Sequence, residues 1–358
     1  MNVWYSSRSG GSLERLAVAE SQRTVARSPM LIMVAMLLAS SGCGGDPAQR
    51  ESGQSAGRDA ARPTTMMLNW FPEAEHGGFY AAELLGFCRE RGLELEIRPG
   101  GPAAPVAQEL VTGRIEFAVA NADDVLLYRQ QGAPVVALLA AMQESPRCIL
   151  VHEESGVESL QELRGLTLQA GAGRPYLLFL QARGLLDGVQ VVPYSGVARF
   201  VADPRSAMQG YTFSEPFLAQ QAGAHVRVLK VAELGFNPYA SCLITTERMI
   251  ASQPELVQAM VDACRRGWLA YLDDPQATNL HILKLNEQGM TLDALTFGAR
   301  ELRNLCLPEG MPREQFGRMT RQRWQTLIDQ FAELKLVDPQ KVAVDSVFDT
   351  RFIAAATE

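Results

Sequence analysis

Residues 68–80, LNWFPEAEHGGFY, crowd an amide (Asn69), an indole (Trp70), a phenyl ring (Phe71), two carboxylates (Glu73 and Glu75) and one of the chain's four histidines (His76) into one turn. Aromatic rings can stack on a flat ligand, and amides and carboxylates can pair with its hydrogen-bonding edge. Two acids beside an imidazole can also move protons, so a hydrolytic use of Glu73, Glu75 and His76 is the alternative. Neighbours in sequence are not thereby carboxyls opposed across a bond, however. The blander alternative is that Trp70 and Phe71 fill a core and His76 caps a helix. The six cysteines, at positions 43, 88, 148, 242, 264 and 306, form no C-x-x-C pair, and neither H-E-x-x-H nor G-x-S-x-G occurs. No catalytic residue, metal ligand or cofactor is therefore assigned.

A strand has to deliver that turn. Residues 66–70 read as a buried strand whose ladder Pro72 stops, and Gly77-Gly78 as a turn into a helix over 78–91. Strands are expected at 93–98, 115–119 and 135–142, with helices at 105–112 and 123–131 between them. Alternation of this kind predicts βαβ units and a mainly parallel sheet. Ligands of open α/β sheets lie beyond the carboxyl ends of strands. There the chain places Asn69 and Trp70, then Asn121 and Asp123, then Gln143. Asn121 and Asp123 are equally good helix N-caps, whereas Gln143 is harder to explain that way.

A second alternating unit follows, with helices at 159–164 and 175–183 and strands at 166–169, 189–193, 212–215 and 226–231. Tyr194 ends one strand, and Gly171-Ala172-Gly173 is a tight turn that lacks a dinucleotide fingerprint. A loop at 235–239 leads to a return strand at 242–245. Helices at 254–272, 275–286, 293–306 and 313–334 then pack back on the first unit. The expected fold is α/β with two lobes, each a mainly parallel sheet flanked by helices. Lobe 1 is discontinuous, 64–152 plus 241–358, and lobe 2 is 153–240; two crossings make a hinge.

Asn69-Trp70-Phe71-Pro72, His76, Tyr80-Ala81-Ala82, Gly86-Phe87 and Gly92-Leu93 resemble the opening of solute-binding proteins of ABC importers of the thiamine-precursor and alkanesulfonate type, most of all the branch that binds substituted pyrimidines. The resemblance runs from about residue 64 to 275. It implies a periodic two-lobed fold of the type II periplasmic-binding-protein kind, a small-molecule ligand, and a permease with its ATPase as partners. Ser214-Glu215-Pro216 matches a Glu-Pro pair of that family, which implies that Glu215 reaches into the cleft; the alternative is an acid at a helix N-terminus. Tyr239 would then supply a stacking face opposite Trp70. With the strand-end residues, the expected ligand set is Asn69, Trp70, His76, Asn121, Asp123, Gln143, Tyr194, Glu215 and Tyr239, and the resemblance implies a ligand of the hydroxymethyl- or formylamino-pyrimidine type. Sulfonate, nitrate and other heterocycles, and a sensory receptor without transport, are the rival readings.

The same family includes a pyrimidine synthase that uses pyridoxal phosphate and iron. Its cofactor-holding lysine and consumed histidine correspond here to Ala120 and Asp124, which supply neither an amine nor an imidazole. Its cysteine-rich loop corresponds to 236–240, FNPYA.

The 358 residues suffice for two cores, and 47% hydrophobic with 20% charged residues suits a globular chain. The net charge of −7 grows more negative once the first 42 residues, with four arginines against two glutamates, are set aside. Nucleic acid is excluded as a partner because phosphate binding needs a basic stripe. Residues 30–38 are apolar, follow Arg23 and Arg27, and precede Ala39-Ser40-Ser41-Gly42-Cys43. That pattern predicts a signal peptide and leader over 1–42 and resembles a lipoprotein signal with lipidation at Cys43, although Ser40 stands where Leu is usual. Residues 43–63 read as a flexible tether from the membrane, giving an extracytoplasmic, lipid-anchored protein facing the periplasm.

Overall fold

The computed structural model describes residues 61–353. The expected signal peptide, the lipidated Cys43 and all but the last residues of the tether lie outside the described residues. The last two tether residues are not tether: Arg62 and Pro63 pair with Leu93 and Glu94 in the first strand ladder.

Ten strands occur among the described residues: β1 (Arg62–Met67), β2 (Leu93–Arg98), β3 (Phe117–Ala120), β4 (Val135–Met142), β5 (Arg147–His152), β6 (Thr167–Ala170), β7 (Gln190–Pro193), β8 (Ser206–Tyr211), β9 (Val226–Lys230) and β10 (Ala240–Thr246). They form two five-stranded sheets, ordered β2-β1-β3-β10-β4 and β7-β6-β8-β5-β9. Within each sheet the first three strands are parallel. The fourth is antiparallel to both its neighbours. That fourth strand is in each case the one that has just crossed from the other sheet, β5 after β4 and β10 after β9. A crossing strand arrives at the near end of the new sheet, so it must run against the strands that lead away.

This topology moves one expected boundary. β5 pairs with β8 and β9, so residues 147–152 belong to the second sheet and the first crossing lies at 143–146. Arg147, at its start, is therefore a residue of the second lobe. β8 also lies earlier than the strand expected at 212–215; Ser206, Ala207 and Met208 are buried, and Thr212 is already beyond the ladder. The helix expected over 313–334 is only Arg321–Glu333, capped by the Thr320 hydroxyl, which accepts from the Arg323 N–H.

The helix Gly77–Leu84 packs on the long helix Pro254–Asp273 through glycines. A Cβ on Gly77 would lie 2.1 Å from the Tyr271 ring, one on Gly78 2.0 Å from Trp268, and one on Gly267 2.3 Å from the Gly78 carbonyl. Gly77 and Gly78 are thus inside the helix, where they permit close approach, and are not the turn into it. The helix ends at Leu84, and Gly86, at φ +83°, reverses the chain into a separate short helix, Phe87–Glu90. Among the described residues no helix is long and apolar enough to cross a membrane.

Candidate functional site

The turn after β1 lies where the two lobes meet. Asn69, Trp70 and Phe71 are half-buried, Trp70 meeting Phe71 edge-on with ring centres 5.2 Å apart. Behind them His76 is fully buried, its Nε2 3.0 Å from Asn69 Oδ1. Burial lowers the His76 pKa to about 3, against the opposing pull of a main-chain bond with Phe71. The imidazole is therefore neutral, and its 3.5 Å approach to Glu75 Oε1 is not an ion pair. His76 braces the turn through Asn69.

The acids of the turn face other acids. Glu73 is raised to about 8 by burial and by the charge of Glu215, while a hydrogen bond from the Trp70 side chain pulls it down. Glu75, only 5% exposed, is pushed well up by burial and then by Glu73 and Glu215, with Arg147 opposing. Glu215 opens the helix Glu215–Gln221, and its Oε2 accepts the Tyr211 N–H at 2.7 Å. Burial raises its pKa too, against that bond and one from its own N–H. Glu215 sits at a helix N-terminus, and its charge acts on Glu73 and Glu75 of the other lobe. Tyr194, 40% exposed at the end of β7, is raised to about 12 by burial and then by the charges of Glu215 and Glu73. Trp70, Glu73, Glu215 and Tyr194 thus form one neighbourhood.

Arg147 is the cation set among these acids. Its Nη2 lies 2.9 Å from Asp123 Oδ2, and the rings of Tyr176 and Tyr211 flank it, each centre 5.5 Å away. Burial works against its charge, but Asp123, Tyr211, Asp124 and Tyr176 outweigh that cost and hold it protonated. Asp123 is 1% exposed, and its second oxygen, Oδ1, is buried without a hydrogen-bond partner. Next to it, Asp124 is raised to about 6 by burial and the Asp123 charge, and its Oδ2 accepts the Asn121 N–H at 3.3 Å.

Asn121 ties three pieces together. Its Oδ1 accepts the Ser241 N–H at 3.1 Å, and its Nδ2 donates to the Tyr211 hydroxyl of the other lobe at 3.4 Å. Ser241 is one of two non-glycine residues at positive φ among the described residues, at 49°, and its hydroxyl donates to the Glu75 carbonyl at 2.9 Å. A buried residue held in the left-handed region is strained, and the neighbours that hold it are the parts of this site.

Two expected site residues lie elsewhere. Tyr239 is 3% exposed; its hydroxyl accepts the Thr320 N–H at 3.0 Å, the Arg323 guanidinium covers its ring at 3.9 Å, and Trp324 packs beside it. It is core under the C-terminal helix and offers no face to Trp70. Gln143 spends its amide on the carbonyls of Ala140 and Arg318, at 3.0 and 3.1 Å, so it fastens the tail to the first sheet. A cavity of about 270 Å³ over the second crossing, lined by Gly235, Asn237, Thr320 and Arg323, is on the Tyr239 side and apart from the acids. Sequence reasoning missed Arg147, Tyr176, Tyr211 and Ser241 as parts of the site. For Arg147 there was a signal, a lone charge opening the otherwise apolar run RCILV.

Comparison with known proteins fits this arrangement. The model of the NMT1/THI5-like family matches residues 73–278. The riboflavin-binding protein RibY of Chloroflexus aurantiacus is 28% identical over 229 residues, 60% of this chain and 65% of that one, a little under two thirds of its length. The formylaminopyrimidine-binding protein of Halalkalibacterium halodurans is 24% identical over 281 residues, 75% of this chain and 84% of its own. Relatives named as 4-amino-5-hydroxymethyl-2-methylpyrimidine phosphate synthases match as well. Among solved structures, the periplasmic aliphatic sulphonate binding protein SsuA of Escherichia coli superposes with a TM-score of 0.62 at 15% identity, over 83% of this chain and 95% of that one. The fold is therefore that of the periplasmic binding proteins.

Proposed function

The chain belongs to the NMT1/THI5-like family, and from that premise we propose that it is an extracytoplasmic solute-binding protein that holds a flat nitrogen heterocycle between its lobes and delivers it to an ABC permease. The ligand is a thiamine pyrimidine precursor of the hydroxymethyl- or formylamino-pyrimidine type. The observation that carries this reading is the charge of the cleft. Beyond burial, Glu215 raises the pKa of Glu73, and Glu73 and Glu215 raise that of Glu75, while Arg147 beside them is already paired with Asp123. An anion such as a sulfonate or nitrate would meet that acidity, and Arg147 would have to leave Asp123 to receive it. An aminopyrimidine brings N–H donors, and a carboxylate that accepts from them no longer lies buried without a partner. Trp70 and Tyr194 supply the rings in place of the Trp70–Tyr239 pair.

Binding, and not synthesis, suits the residues at the synthase positions. Ala120 is a buried strand residue, and the Asp124 carboxyl caps its own helix. The relative that binds formylaminopyrimidine matches more of the chain than the one that binds riboflavin, and both ligands contain a pyrimidine ring. Attachment to the membrane through Cys43 is part of the same reading.

The test is a thermal-shift series on the full chain with hydroxymethyl-aminopyrimidine, its formylamino analogue, riboflavin, an alkanesulfonate and nitrate. A ligand at 100 times its Kd adds about 2.7 kcal/mol, or roughly 5 °C for a folded region of this size. The pyrimidines are expected to give that shift and the anions none. A shift with the sulfonate alone overturns the reading, and one with riboflavin alone moves the ligand to the flavin class.

A further inference from the structure

One helix touches both walls of the cleft. The helix Leu292–Cys306 belongs to the tail that packs on the first sheet, yet it also reaches the second lobe. Phe297 lies against Phe217, ring centres 5.2 Å apart and planes at 34°. Phe217 sits in the short helix that Glu215 opens, so this contact docks the wall that carries Glu215. One residue on, Gly298 is squeezed between the lobes. A Cβ there would lie 2.8 Å from Ala74, in the turn that holds Glu73 and Glu75, and 3.1 Å from the Phe213 carbonyl of the second lobe. The crevice beside it, lined by Glu73, Ala74, Phe213, Ser214 and Leu295 among others, has room for about 10 Å³, so the surfaces are in contact. Just before this helix, Asn286 Nδ2 donates to the Pro72 carbonyl at 2.7 Å and fixes the same turn from behind.

A hinge through 143–146 and 231–239 cannot open without separating Phe217 from Phe297 and Phe213 from Gly298, because each pair joins the two lobes. We propose that Phe297 and Gly298 are a closure latch: the tail helix holds the second lobe shut over the cleft and thereby sets how tightly any ligand is kept, without touching it. Apparent affinity is the intrinsic affinity scaled by the fraction of closed molecules, so a weakened latch weakens every ligand by one common factor. Aromatic pairs of this kind give about a twofold to tenfold change in such an equilibrium. The proposal rests on the binding reading only for its ligand half; its other half concerns the empty protein.

The test uses the full chain as wild type, Phe217→Ala, Phe297→Ala and the double variant, each checked for an unchanged far-UV spectrum and cooperative melting. Without ligand, small-angle scattering and amide hydrogen exchange over 213–218 report closure directly. The wild type is expected to have the compact radius of this structure, and each variant to be larger and to exchange faster. Because either substitution removes the same contact, the double variant should match the singles. With hydroxymethyl-aminopyrimidine and riboflavin as probes, the Kd of whichever binds should rise by the same factor in all three. An expanded wild type, or variants that keep its radius and protection, overturns the latch. So does a double variant whose change is the product of the singles, since the two rings then act apart. If neither probe binds while the radii change as expected, the ligand assignment fails and the latch stands.

Discussion

Replacing Asp123 by asparagine keeps the shape of the side chain and removes its charge from a site that water hardly reaches. The side chains of Asp123 and Arg147 are 2% and 10% exposed, and their nitrogen and oxygen are 2.9 Å apart. The guanidinium is further enclosed by Tyr176 and Tyr211. Breaking a buried pair from one side costs about 3–5 kcal/mol, because the remaining charge stays buried without compensation. Asp124, which also favours the charge on Arg147, recovers part of this, so a loss of about 3 kcal/mol is expected. For a folded region of this size that lowers Tm by roughly 5 °C. Urea unfolding of Asp123→Asn, Arg147→Met and the double variant measures it. The double variant should be less destabilised than the sum of the singles by about 2 kcal/mol or more, since it removes both charges together. The freed guanidinium should also raise the affinity of Asp123→Asn for alkanesulfonates over that of the wild type. A loss below about 1 kcal/mol, the size seen for exposed pairs, would refute the claim that Asp123 neutralises Arg147.

Other consequences follow from the same residues. The Glu73 pKa is raised in the folded state from 4.5 to about 8. Its contribution to stability is therefore complete below about pH 4.5 and lost as pH rises through about 8. Urea midpoints of the ligand-free protein between pH 5 and 8.5 should fall with pH, and Glu73→Gln should flatten the trend; a rise in the wild type would reverse the sign of the argument. Trp70→Leu should weaken a pyrimidine by about fivefold, the worth of one stacking contact; equal affinity in calorimetry removes the stacking role. Ser241→Ala loses the bond to the Glu75 carbonyl while keeping the strained φ, and should cost about 1 kcal/mol in urea unfolding. A neutral result there would mean that the hydroxyl does not hold the turn.

How far the sequence reached depends on where each partner lies along the chain. β2 and β4 were found at their observed bounds because one alternates and the other is an unbroken apolar run. The helix before Gly113 ends where expected because that glycine adopts φ +72°. β8 was misplaced because its sequence, SAMQGY, carries neither pattern; neighbouring strands, not its own side chains, bury it. Sequence alone points Gln143 and Tyr239 to the cleft because each follows or precedes a strand with no local partner in view. Their partners, the Arg318 carbonyl and the Thr320 N–H, lie 175 and 81 residues away in the tail. The turn at 69–76 was legible because its chemistry is local, whereas the acids opposing it arrive from a separate lobe. Glu215 was reached through the family pattern, and Arg147 and Tyr211 were not reached at all.

In the proposed function an acidic cleft between two lobes receives the N–H edge of a flat ring and performs no covalent chemistry on it. Isothermal titration of the full chain with hydroxymethyl-aminopyrimidine and with its analogue lacking the amine, for wild type and Glu215→Ala, tests it most directly. The account predicts saturable binding of the aminopyrimidine that Glu215→Ala weakens by about tenfold or more, as befits a bond to a charged group, with a much smaller effect on the analogue. Equal losses for the two ligands, or heat from an alkanesulfonate and none from the aminopyrimidine, would contradict it.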